Sequence, residues 1–230
     1  MRDNSDIMTT EARKEPTMPL QNRVDPFGEI HAVPQRGLFT GNRGVIHDPA
    51  SKSLRRRRWT TKAWIICDLV HPRGVRREAM GRNAPSGNAG WTELFFLDEV
   101  TALAAGHRPC FYCRRADAER FRAAWSRGNQ VPPPPAREID RTLHAERLDG
   151  RVKRRHPLPG PPPALPDGAM VESAEGCILI AAGRAFLSET TVEQPQDDGV
   201  RMFLAAAGRQ RRDRRDGPDP RRRRRRRPPA

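Results

Sequence analysis

The chain has 230 residues, with 43 Lys and Arg against 28 Asp and Glu, 23 Pro and 18 Gly, a length that favours one domain with appendages over two full domains. Leu, Ile, Val and Phe fill only 41 positions, so much of the chain lacks the apolar residues for a packed core. Twelve Arg and three Asp over residues 209–230 supply +9 of the formal +15, which leaves a body of only +6, and no run of about 18 apolar residues exists to cross a membrane.

Residues 1–17 are polar and aperiodic, with Asp3, Asp6, Glu11 and Glu15 and no apolar run, and are expected to be disordered rather than a secretory signal. The folded unit is expected over residues 18–130, which hold all four Trp and the single Tyr. Strands are predicted at Leu38–Phe39 and Gly44–His47, with a turn at Gly41-Asn42, and then over Thr60–Val70. His71-Pro-Arg-Gly74 reads as a turn, Val75–Met80 as a return strand, Asn83–Gly90 as a loop and Thr92–Phe96 as a further strand.

A short helix follows, with Asp98 as its cap, Val100, Leu103 and Ala104 on its apolar face and Gly106 as its stop. Gly106-His-Arg-Pro109 then delivers Cys110-Phe-Tyr-Cys113. Arg115–Ser126 reads as a second helix with Ala118, Phe121 and Trp125 at helical spacing. Pro132–Pro135 ends it, and Ala136–Leu148 is a third. Residues 131–187 are expected to form a Pro-rich segment carrying that helix, an extended linker over His156–Pro166 and a small hairpin between Ala169–Val171 and Ile178–Ile180. Residues 188–230, ending in an Arg run, read as a disordered tail. The fold class is α+β: a small antiparallel sheet, a helix, a Cys-x-x-Cys turn and a helix, between disordered ends.

Four Cys without a secretory signal point by default to the cytoplasm, where thiols bind metal or stay free rather than pair. Two Cys three positions apart on a tight turn can aim both sulfurs at one tetrahedral Zn²⁺, which binds them as thiolates. The bland alternative is a pair of free thiols at a core turn. A thioredoxin-like redox role fits poorly, since that motif opens a helix directly after a strand. Cys177, beside Ile178-Leu-Ile, reads as a buried apolar residue. His144 and His156, near Lys153, Arg154 and Arg155, read as part of a solvated basic face.

The run Phe95-Phe-Leu-Asp-Glu-Val-Thr-Ala-Leu-Ala-Ala-Gly-His-Arg-Pro-Cys-Phe-Tyr-Cys-Arg114 resembles the second half of the Ada-type zinc-binding domain, a treble-clef-like module. That family supplies its other two ligands from an upstream Cys-x-x-x-Cys after a strand rich in Thr and apolar residues. Thr60-Thr-Lys-Ala-Trp-Ile-Ile-Cys67 and Cys67-Asp-Leu-Val-His71 match this half loosely, with His in place of the second Cys. The resemblance therefore implies a Zn site of Cys67, His71, Cys110 and Cys113. His47 or His107 are alternative ligands if Cys67 is an ordinary core thiol. The position of Cys67 matches the family's methyl-accepting Cys, but a His for Cys exchange leaves the site less electron-rich and its sulfur a weaker nucleophile.

Arg108, Arg114 and Arg115 flank the Cys pair, and Arg55, Arg56, Arg57 and Arg58 precede the central strand. With Trp59, Trp64, Phe111 and Tyr112 they suggest a surface for phosphates and stacked bases, or else a charged edge that resists aggregation. The expectation is a zinc-stabilised nucleic-acid-binding protein, DNA rather than RNA, acting in repair or regulation. Alternatives are Cys-dependent alkyl transfer or a nuclease on DNA, and a zinc-stabilised protein-interaction module.

Overall fold

The computed structural model describes residues 18–74, 77, 80, 84, 86 and 88–188, and the backbone of 201–203. Its centre is a six-stranded sheet of very short strands: β1 (Arg23–Val24), β2 (Ile30–His31), β3 (Phe39–Asn42), β4 (Ile65–Asp68), β5 (Leu94–Phe96) and β6 (Arg108–Pro109). The order is β2-β1-β5-β3-β4-β6. β3 pairs antiparallel with both β4 and β5, while β1 with β5 and β4 with β6 are parallel. The sheet is therefore mixed rather than antiparallel throughout. Parallel pairing escapes a reading built on hairpins because its partners are distant in sequence.

The expected turn at Gly41-Asn42 lies inside β3 instead. A side chain at Gly41 would put its Cβ 2.0 Å from the Ile65 carbonyl oxygen, so glycine here permits close strand approach. The turn comes two residues later, where Gly44 takes φ +87° and its amide donates to Asn42 Oδ1 at 3.2 Å. Residues 44–47 then form no strand, although Ile46 is fully buried and His47 makes an isolated bridge to Leu54.

Helix α1 (Glu99–Ala104) is capped as its sequence indicates: Asp98 Oδ1 accepts from the Thr101 amide at 2.7 Å, and Gly106 beyond its end has φ +87°. Its Ala102 and the following Ala105 pack with Val24, Ile30, Ile46, Ile66, Leu94 and Phe96 in the main core. α2 (Arg115–Asn129) runs three residues past the predicted end and closes on Gln130 in the left-handed region. α3 (Ala136–Glu146) stops before Leu148, which begins a small ribbon of β7 (Leu148–Asp149) and β8 (Val152–Lys153). Trp125, Ile139 and Leu143 join α2 to α3.

Residues 131–187 pack on the first half of the chain. Met170 and Cys177 share a buried cluster with Phe27 and Ala104 of the first half, and Arg147 Nη2 donates to the Lys62 carbonyl at 2.6 Å. The Pro-rich segment contains a 3₁₀ turn at Pro162–Ala164. The expected hairpin is the centre of a larger sheet of β9 (Met170–Ser173), β10 (Gly176–Ala181), β11 (Arg184–Leu187) and β12 (Arg201–Phe203), in the order β11-β10-β9-β12. β12 lies in the stretch read as a structureless tail; its backbone pairs antiparallel with β9. The 1–17 extension, most of the 75–80 strand and the rest of the tail lie outside the described residues. Among those described, no helix is long and apolar enough to cross a membrane.

Candidate metal centre

Cys67 is the third residue of β4, and the parallel register of β4 with β6 sets Ile66 beside Pro109. The Cys110 amide then donates to the Ile66 carbonyl at 2.9 Å, which draws the start of the Cys-x-x-Cys turn alongside Cys67. The turn closes with Arg114 N on the Cys110 carbonyl at 2.9 Å, and the Tyr112 amide points at Cys110 Sγ at 3.4 Å. The sulfurs of Cys67, Cys110 and Cys113 all lie within 4.8 Å of one another, so these three residues could hold a metal ion.

The protons reflect this crowding. Hydrogen bonds to Cys110 and Cys113, with burial behind them, push the Cys67 thiol up. The same bonds from Cys67 pull both partners down. Arg77 adds a cation, Nη2 donating to Cys113 Sγ at 3.0 Å, Nε to the Asp68 carbonyl at 2.9 Å and Nη1 to Glu93 Oε1 at 3.3 Å. The buried Glu93 is held in turn by Trp91 Nε1 at 2.9 Å and by the hydroxyl of Thr40, the residue facing Cys67 across the β3–β4 ladder. With a divalent ion held by three thiolates the site would carry a net −1, which Arg77 beside Cys113 would balance. This carboxylate–arginine support is not legible in the sequence, since Glu93, Arg77 and Cys113 lie in separate segments.

His71 does not join the sulfurs. Its Nδ1 accepts from the Arg73 amide at 3.2 Å, and its ring lies 5.7 Å from that of Tyr112. The alternative ligands are engaged elsewhere: His47 contacts the Gln21 carbonyl at 2.8 Å and Thr92 Oγ1 at 3.1 Å, and His107 Nε2 accepts from Arg43 Nε at 3.2 Å. Cys177 is a core residue, as its neighbours indicated, and burial pushes its thiol up to about 12.

Two of the arginines expected on a phosphate surface are internal. Arg108, 5 % exposed, forms a two-pronged pair with Asp140 of α3 at 2.7 and 2.8 Å. Arg114, 8 % exposed, is surrounded by Glu99, Asp117 and Asp68 at 2.9, 2.7 and 3.4 Å, and stacks over Phe39. Apart from Asp117, three residues on from Arg114, their carboxylate partners come from other segments, which a local charge count cannot anticipate. Arg115 is exposed, 3.6 Å from Glu119. Arg55, Arg56 and Arg57 are exposed and Arg58 half-buried, Arg55 lying 3.4 Å from Asp48.

Arg57 and Arg58 line a groove of about 440 Å³ together with Trp59, Lys62, His144 and Arg151, and no carboxylate residue contributes to its wall. The edge of the His144 ring meets Trp59 at 5.8 Å. Lys62, His144 and Arg151 were not read as a surface, being separated by nearly 90 residues, although His144 was already placed on a basic face. Comparison of the chain with protein-family models, with curated proteins and with solved structures finds no match.

Proposed function

We propose that the chain is a zinc-stabilised nucleic-acid-binding protein, DNA being the favoured partner, in which Cys67, Cys110 and Cys113 hold a structural Zn²⁺ of the Ada-like kind. The all-sulfur donor set favours zinc over oxygen-loving divalent ions. A water or a reoriented His71 would complete four-coordination. Cys67, at the position matching the family's methyl acceptor, is only 4 % exposed and inside the sheet, which argues for a structural role over alkyl transfer.

The observation that carries the nucleic-acid reading is the groove at Arg57 and Arg58. Its wall combines four cationic residues with an aromatic one and no acid, the pattern suited to a phosphate backbone with stacking. The basic end of the chain would bind any polyanion and must be silenced in the test. In a chain with Arg221–Arg227 changed to Ser, single-stranded and duplex DNA should still bind at low salt. Arg57→Ala with Lys62→Ala should lower the salt-dependence slope by about 2, as two phosphate contacts vanish, whereas Arg115→Ala should leave it unchanged. A folded, zinc-loaded chain that fails to bind at low salt overturns this reading in favour of a zinc-stabilised protein-interaction module.

A further inference from the structure

The groove at Arg57 and Arg58 has walls from distant parts of the chain, and one side chain joins them. Arg147, just past the end of α3, donates from Nη2 to the Lys62 carbonyl at 2.6 Å and to His144 Nδ1 at 3.4 Å, and its guanidinium lies 4.1 Å from the Trp64 ring centroid. Trp64 Nε1 donates in turn to the Thr61 carbonyl at 3.2 Å, and the amides of Thr60 and Thr61 both donate to the Arg43 carbonyl, at 2.8 and 3.3 Å. The backbone of this segment is thus pinned from two sides, which leaves the side chains of Arg57, Trp59 and Lys62 to line the groove. A site whose walls already stand in place loses little freedom when it is filled.

A guanidinium can only donate, so His144 Nδ1 accepts from Arg147 and the ring carries its proton on Nε2. Burial, with Arg147 and Lys62 nearby, holds its pKa below the usual imidazole value. Near neutral pH it therefore brings a donor and no further charge to the wall it lines. The His144 and Trp59 rings meet at 73°, with centroids 5.8 Å apart, and form a corner rather than a stack. The volume of about 440 Å³ falls within the roughly 300 to 1,000 Å³ of small-molecule sites, room for one nucleotide-sized group. A duplex is too broad to enter and can only span the mouth. Its bases are covered on both faces by their neighbours, and turning one out costs as much as, or more than, one base stacked on an aromatic side chain returns. In a single strand that cost largely disappears.

We infer that the groove takes one base of a single strand, stacked on Trp59, with the neighbouring phosphates held by Arg57, Lys62 and Arg151. This rests on the nucleic-acid reading and narrows it: a duplex would meet only the cations, a single strand the cations and the ring. Every base has a π face, so little sequence preference is expected.

The test compares a non-self-complementary DNA strand of about 12 nucleotides with the duplex of the same sequence, on the full chain with Arg221–Arg227 changed to Ser. At equal salt the strand should bind at least about fivefold tighter than the duplex. It should also quench indole fluorescence, and most of that quenching should vanish in Trp59→Phe while affinity is largely kept. Trp59→Ala should remove the preference and leave duplex binding within about twofold. Equal binding of strand and duplex, or a preference that survives Trp59→Ala, overturns the inference and leaves the salt-slope test of the phosphate contacts standing. A nucleoside monophosphate that binds as tightly as the strand also overturns it, in favour of a free nucleotide. Absence of binding to either form by the folded chain instead fails the nucleic-acid reading itself, and this inference with it. If Trp59→Ala does not fold, the strand-to-duplex ratio of the unchanged groove and the Trp59→Phe quenching decide the matter.

Discussion

Cys110→Ser is expected to release the zinc and to lower the Tm by about 8 to 16 °C. Structural Zn²⁺ sites contribute about 10 to 16 kcal/mol when folding and binding are coupled, and losing one of three thiolates forfeits a substantial part of this. If about 4 kcal/mol is lost, the shift follows from about 2 to 4 °C per kcal/mol for a chain of this size. Cys113→Ser should behave alike, and a strong chelator should bring the wild type to the same state. Cys177→Ser should keep its metal, since that thiol sits in a separate core cluster. Metal analysis and calorimetry on the same samples check this; unchanged metal content in Cys110→Ser would sink the zinc assignment.

The second large effect is expected at Asp140. Its carboxylate faces Arg108 on two prongs, and both side chains are nearly buried. Asp140→Ala leaves a guanidinium stripped of water and without its counterion, which costs about 3 to 5 kcal/mol. The double variant Arg108→Met/Asp140→Leu removes both charges and should recover most of that loss, because the desolvation penalty goes with them. Urea unfolding of the four species of this cycle measures the difference. A loss below about 1 kcal/mol in Asp140→Ala would mean that water reaches Arg108.

These two cases also mark what was legible in the sequence. The Cys-x-x-Cys turn, the Asp98 cap and the helices around them depend on neighbours within a few residues, so spacing and capping chemistry exposed them. Cys67 emerged through the Thr-rich strand before it. His71, which the resemblance also implied as a ligand, lies apart from the sulfurs, because a Cys-x-x-x-His spacing constrains the backbone only when the following segment folds back toward the metal, and the ring turns to Tyr112 instead. Arg108 and Arg114 look like surface cations in any local window. Only the packing of α3 against the sheet, and of the α1 and α2 starts around Arg114, supplies the acids that take them inside. Arg43, beside the expected turn, is buried against Trp64.

The two-residue strand β6 has a wider consequence. Arg108 within it grips Asp140 of α3, and the residue just beyond it is Cys110, whose amide bonds to β4. Cys110 and the helix anchor Arg108 are thus two positions apart on the same peptide segment. Local opening at the knuckle and undocking of α3 must then occur together, as a single cooperative unit. Amide hydrogen exchange would register this: stripping the metal should accelerate exchange across α3 as well as in the turn, although no residue of that helix touches a sulfur.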